Sequence, residues 1–111
     1  MIRILFLSAG TNAAYHCIKT LKTKFSSDFY IIGADINEKY LISTCNYLDN
    51  FYKVSTSGSA DYYDAILKIL KSENVTKFFD DTLSDKKAAD IAEVEFIHFN
   101  DGFHSKEVIG A

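Results

Sequence analysis

The chain has no proline, no tryptophan, one methionine, two cysteines and five glycines among its 111 residues. The glycines form no G-x-G-x-x-G array, and no Walker-type lysine loop follows one, so the strong phosphate-cradling motifs are missing. Cys17 and Cys45 are too few and too far apart for a disulfide framework or a metal-ligand pattern. They read as reduced structural thiols, which points to a cytoplasmic protein. The formal net charge of -3, from 12 Lys+Arg and 15 Asp+Glu, supplies no basic face for a nucleic-acid partner. No apolar run approaches the roughly 18 residues of a membrane span. The opening stretch to Leu7 also lacks the long apolar segment and cleavage site of a secretory signal, so no membrane partner is expected.

What is present is a pattern of apolar segments separated by small polar breaks. With 48% hydrophobic and 24% charged residues the composition is that of one globular domain, 1–111, with no linker, repeat or low-complexity tract. Ile2-Arg3-Ile4-Leu5-Phe6-Leu7 reads as a buried strand, and Ser8-Ala9-Gly10-Thr11-Asn12 as the turn into a helix. The helix shows Ala13, Ala14, Cys17, Ile18, Leu21 and Phe25 at helical spacing. Further strands are expected at 29–34, 51–54, 75–79 and 94–99, with a short helix near 40–45. Another helix through 62–70 would be capped by Ser59, and one after Ser84 would follow the fourth strand. Alternation of strands and helices predicts an α/β, Rossmann-like three-layer sandwich with a five-stranded, mainly parallel sheet. The most apolar strand, the first, should be central, giving the order 3-2-1-4-5; a flavodoxin-like 2-1-3-4-5 is the alternative.

Ligands in open parallel sheets bind beyond the carboxyl ends of the strands, where the order reverses. That places the expected site between strands one and four, where the 8–12 and 80–85 loops meet beside Asp35. Ser8, Gly10, Thr11 and Asn12 open a helix, so their N–H groups read either as an anion contact or as an ordinary tight turn with an N-cap. Asp35 ends the second strand about 25 residues after Gly10, where dinucleotide folds place a ribose-binding acid; strand-end acids are also simple turn formers. Asp80, Asp81 and Asp85 cluster carboxylates that either offer oxygen ligands to Mg²⁺ or cap a short helix. His16, His98 and His104 share no ligand spacing, and no residue is assigned a catalytic role. The tyrosines read as packing rather than as a base-stacking platform.

From Ile2 to about Val75 the chain resembles the N-terminal domain that precedes the catalytic lobes of carbamoyl-phosphate-synthase-like ATP-grasp enzymes. The matching stretches are Ile4-Leu5-Phe6-Leu7-Ser8-Ala9-Gly10, Ile32-Gly33-Ala34-Asp35-Ile36-Asn37, Leu48-Asp49-Asn50-Phe51-Tyr52-Lys53-Val54 and Asp61-Tyr62 to Glu73-Asn74-Val75. Ser55 departs from the proline usual in that family after the valine. The resemblance implies a non-catalytic, substrate- or nucleotide-side domain of a ligase, truncated or rearranged. ATP and Mg²⁺ would then belong to a full-length parent, whose catalytic lobes, or a homodimer partner, are missing from this chain. From Phe78 onward the chain is similar to the final motif of haloacid-dehalogenase-type phosphatases, carried by Phe78-Phe79-Asp80-Asp81-Thr82-Leu83-Ser84-Asp85 and Gly102-Phe103-His104-Ser105. This second resemblance implies Mg²⁺ at Asp81 and Asp85, and the alternative of a phosphatase fragment. Glu93 stands where those enzymes have glycine. The first strand ends in Ser8-Ala9-Gly10-Thr11 without the nucleophilic aspartate that such chemistry needs, so the chain alone is expected to be inactive. A boundary near Asn74 separates the two resemblances, which a natural fusion, a truncation or a chimera would each produce.

Overall fold

The computed structural model describes residues 2–7, 9–10, 12–25, 27–56, 59–80 and 90–98. Strand β1 spans Ile2–Leu7, helix α1 Asn12–Lys24, β2 Phe29–Asp35, β3 Asn50–Lys53, helix α2 Tyr62–Ser72, β4 Lys77–Asp80 and β5 Glu95–His98. A single 3-10 turn covers Lys39–Leu41 in place of the helix expected near 40–45. The sheet runs β3-β2-β1-β4-β5, and every neighbouring pair is parallel. The expected order 3-2-1-4 is therefore found over the first four strands, and the flavodoxin-like alternative is excluded because β1 pairs with both β2 and β4.

The period-2 alternation of β1 and β2 divides the core between two faces. Ile4 and Phe6 of β1, Phe29 and Ile31 of β2 and Phe79 of β4 share one cluster with Ala14, Cys17, Ile18 and Leu21 of α1. Leu5, Leu7, Ile32, Ala34 and Phe78 face the other way, onto Ile66, Ile69 and Leu70 of α2. A helix covers each face, which makes three layers. Burial on both faces explains why β1 reads as a nearly unbroken apolar run. Phe6 and Phe79 stack with ring centroids 4.9 Å apart across the β1–β4 pair. Cys45, set in a polar stretch of sequence, is half-buried and packs on the α1-side cluster.

Several boundaries differ from expectation, each for a local reason. Asp61, not Ser59, is the residue at the N-cap of α2, and its side chain makes no capping bond. The Ser59 hydroxyl instead pairs with Thr56 Oγ1 at 3.1 Å. β4 begins at Lys77 because Val75 and Thr76 make the turn out of α2, with the Thr76 N–H donating to the Arg3 carbonyl at 2.8 Å. β3 begins at Asn50, one residue early, since Asp49 already pairs with β2: its N–H donates to the Ile31 carbonyl and its Oδ2 accepts from the Ile31 N–H at 2.7 Å. Lys22 of α1 closes onto the same oxygen at 2.6 Å.

At the amino-terminal end of the sheet, a polar knot pins the last turn of α2. Glu73 is 8% exposed. It accepts from Arg3 at 2.8 Å, from Asn50 Nδ2 at 2.7 Å and from the Tyr52 hydroxyl. The Arg3 guanidinium lies 4.0 Å from the Tyr30 ring centroid. An acid at a helix C-terminus opposes the helix dipole, and the Arg3 charge offsets that cost. The Tyr52, Asn50 and Arg3 donors hold the Glu73 carboxyl below its usual range, while the Glu73 bond raises the Tyr52 phenol.

No helix among the described residues is long and apolar enough to cross a membrane.

Candidate functional site

The carboxyl ends of β1, β2 and β3 form one corner, and the β1–α1 turn is its firmest part. The Ala9 N–H donates to the Ala34 carbonyl at 3.2 Å, and Thr44 Oγ1 donates to the Ala9 carbonyl at 2.9 Å. The Gly10 N–H donates to Asp35 Oδ2 at 3.0 Å. Asp35 is only 7% exposed. Its second oxygen accepts from both the backbone N–H and the side-chain amide of Asn37, each at 3.0 Å. Glycine is required at position 10 by close approach. A Cβ there would lie 2.9 Å from Ile42 Cγ2 and 3.1 Å from Asp35 Oδ2.

Beside this turn opens a cavity of about 320 Å³, lined by Leu7, Asp35, Ile36, Val54, Ser55, Thr56 and Tyr62. Each residue comes from a strand end or from the entry to α2, so sheet and helix fix its shape. Ser55 Oγ donates to Asp61 Oδ2 at 3.2 Å, which ties the β3–α2 connection to the start of α2. Lys53, at the end of β3, pairs with Glu38 at 2.8 Å. The Glu38 hydrogen bond and charge hold the Lys53 ammonium above its usual range.

The structure brings Gly10 and Asp35 together, as the sequence places them, and makes them hydrogen-bond partners. Asn12 is the first residue of α1. Ser8, Thr11, Asp81, Asp85, Ser84 and His104 lie outside the described residues. β1 and β4 are neighbours as expected. The described cavity, however, sits on the β2–β3 side of β1 rather than between β1 and β4. Leu7, Ile36, Val54, Ser55, Thr56 and Tyr62 are functional candidates that sequence reasoning missed. The usable signal was the Ser/Thr-rich break after β3, which obeys the same strand-end rule as the breaks after β1 and β4.

Parallel β-α-β connectivity, helices on both faces and a cavity beyond the strand ends define a Rossmann-like α/β fold. Two solved structures share it. One is L-threonine dehydrogenase from Clostridium difficile, with a TM-score of 0.63 and 12% identity over 86% of this chain and 35% of that one. The other is dTDP-glucose 4,6-dehydratase from Bacillus anthracis in complex with NAD, with a TM-score of 0.54 and 13% identity over 81% of this chain and 29% of that one. The chain thus spans about a third of the length of these structural neighbours, and at such identities the likeness is one of fold. No family model and no curated protein matches the sequence.

ATP and Mg²⁺, implied by the ATP-grasp resemblance, would need counter-charges and metal ligands at this corner. Among the described residues, the cavity lining holds one carboxylate and no lysine or arginine. The Gly10 N–H that could face a phosphate is already given to Asp35. Among the described residues no group of three or more His, Cys, Asp or Glu side chains is arranged to hold a metal ion. These residues do not fit a magnesium-bound triphosphate.

Proposed function

We propose that this chain is a non-catalytic, ligand-side Rossmann-like domain of a larger enzyme, of the kind that precedes ATP-grasp lobes. The observation that supports it is the cavity at the carboxyl ends of β1, β2 and β3, walled by Leu7, Ile36 and Val54 and edged by Asp35, Ser55, Thr56 and Tyr62. Its volume lies at the lower end of the range for small-molecule sites, and a few polar groups on apolar walls are the usual composition of such sites. In this role the domain binds and orients one part of a substrate, and the bond-making groups come from elsewhere in the parent. The phosphatase alternative is not favoured, because β1 ends at Leu7 and the residues that follow, Ser8-Ala9-Gly10-Thr11, offer no nucleophilic carboxylate.

A thermal-shift screen of the purified chain against nucleosides, nucleotides, amino acids and sugars tests this reading, with Val54→Trp as the cavity-filled control. A ligand that raises the melting temperature of the wild type and not of Val54→Trp supports it. A ligand that stabilises both equally binds elsewhere and overturns it.

A further inference from the structure

We infer that Glu73, at the amino-terminal end of the sheet, is a positioning residue for the cavity at the other end. It holds the β3–α2 wall closed, and a Glu73 that lets go opens that wall while the β1–β2 side stays in place. The inference goes beyond the ligand-side reading and concerns the cavity whatever it binds. Four of the lining residues belong to this wall: Val54, Ser55 and Thr56 directly follow β3, and Tyr62 begins α2. The same two elements are tied at their other ends through one carboxylate. Glu73 Oε1 accepts from Arg3 of β1 at 2.8 Å, and Oε2 accepts from Asn50 Nδ2 at 2.7 Å and from the Tyr52 hydroxyl.

Alternation along β3 explains why this tie reaches the cavity. Asn50, Tyr52 and Val54 share the face toward α2, where Tyr52 and Val54 pack on the cluster of Ile66, Ile69 and Leu70. The first two of that row end on Glu73, and the third is cavity wall two residues, or about 7 Å, further on. β3 is the terminal strand of the β3-β2-β1-β4-β5 order and is four residues long. Its ladder runs to β2, so its place over α2 depends on side chains. Its other ties lead away from α2: Phe51 packs on the α1-side cluster, and Lys53 pairs with Glu38. α2 carries the tie as a rod, its 11 residues spanning about 16 Å from Tyr62 to the turn that holds Glu73. At the cavity end the two elements meet again through the solvent-exposed Ser55–Asp61 bond at 3.2 Å. A buried carboxylate accepting from a guanidinium and two further donors outweighs that exposed contact.

Native-state hydrogen exchange of the purified chain at neutral pH, read by NMR, tests this on three amides. The Val54 N–H donates to the Asp35 carbonyl at 2.9 Å and reports the β3 side of the wall. The Ala65 N–H donates to the Asp61 carbonyl at 3.0 Å and reports the first turn of α2. The Ala9 N–H, donating to the Ala34 carbonyl at 3.2 Å, reports the β1–β2 side. Glu73→Gln keeps the size of the side chain but turns one of its two acceptor oxygens into a donor, so the ties to Arg3 and to the Asn50–Tyr52 pair cannot both be kept. It is expected to speed exchange at Val54 and Ala65 by about tenfold, and at Ala9 by less than about twofold. If circular dichroism shows that Glu73→Gln does not fold, Tyr52→Phe, which removes one β3 donor, carries the test, with about threefold faster exchange at Val54 and an unchanged Ala9. Acceleration of all reporters by the same factor makes Glu73 a support of the whole domain and overturns the inference. So does a folded Glu73→Gln in which Val54 or Ala65 keeps its wild-type rate, or an unmoved Val54 where Tyr52→Phe carries the test. None of these results touches the ligand-side reading, which the thermal-shift screen decides.

Discussion

Replacing Gly10 by alanine is the sharpest perturbation of the corner that positions the cavity. The added Cβ would sit 2.9 Å from Ile42 Cγ2, 3.2 Å from Ile42 Cβ and 3.1 Å from Asp35 Oδ2. The first of these distances is below any that a real Cβ tolerates, and two of the three involve a side chain that is 5% exposed and held in the core. Overpacking of this kind costs about 1–3 kcal/mol. Displacing Asp35 also weakens its bond to the Gly10 N–H, which adds about 1 kcal/mol. A total near 3 kcal/mol corresponds to a fall of about 10 °C in melting temperature for a domain of this size. Urea denaturation followed by circular dichroism measures it. Because Ile42 is the main obstacle, Ile42→Ala in the Gly10→Ala background should recover part of the loss, with a coupling energy of about 1 kcal/mol or more in the double-mutant cycle. A Gly10→Ala variant within about 0.5 kcal/mol of wild type, or a cycle with no coupling, would refute the geometry of this turn.

Other outcomes follow from the same structure. Glu73 is held below the ordinary carboxylate range, so it contributes stability above the unfolded value of about 4.3 and loses it as pH falls through its lower folded value; denaturation midpoints should drop on acidification, and Glu73→Gln should flatten that slope. Tyr52 is shifted upward, so the same knot loses its contribution as pH rises past the ordinary phenol range, an effect that Tyr52→Phe should remove. Glu93 has φ of 59°, and Glu93→Gly should stabilise the fold by about 0.5–1 kcal/mol in chemical denaturation. Phe6→Ala removes a fully buried ring stacked on Phe79 and should cost about 3–5 kcal/mol in urea denaturation.

Much of the fold was legible because its signals are local. A strand buried on both faces must be apolar at consecutive positions, so Ile2 to Leu7 declared itself, and its central place in the order followed. The α1 and α2 faces showed the same way through helical spacing. The glycine missing at Glu93 was also visible, and the left-handed backbone there is its physical counterpart. What was hidden depends on contacts distant in sequence. The knot of Arg3, Asn50, Tyr52 and Glu73 joins residues 70 positions apart, and no local pattern announces it. Ser59 has the chemistry of a cap, but its hydroxyl is held by Thr56 and the helix starts two residues beyond Asp61's neighbour Ala60. Gly10 and Asp35 were singled out separately as an anion contact and a hydroxyl acceptor. Their mutual hydrogen bond, which turns one into the other's partner, emerged only when the turn folded against β2.

Amide chemical shifts recorded during titration with adenosine and with glucose report directly on whether the corner beyond β1, β2 and β3 is where a ligand goes. Saturable shifts centred on Ile36, Val54, Ser55, Thr56 and Tyr62, with α1 unmoved, are the predicted outcome. Shifts centred on the outer face of α1 around His16 and Thr20, with those five amides still, would contradict it.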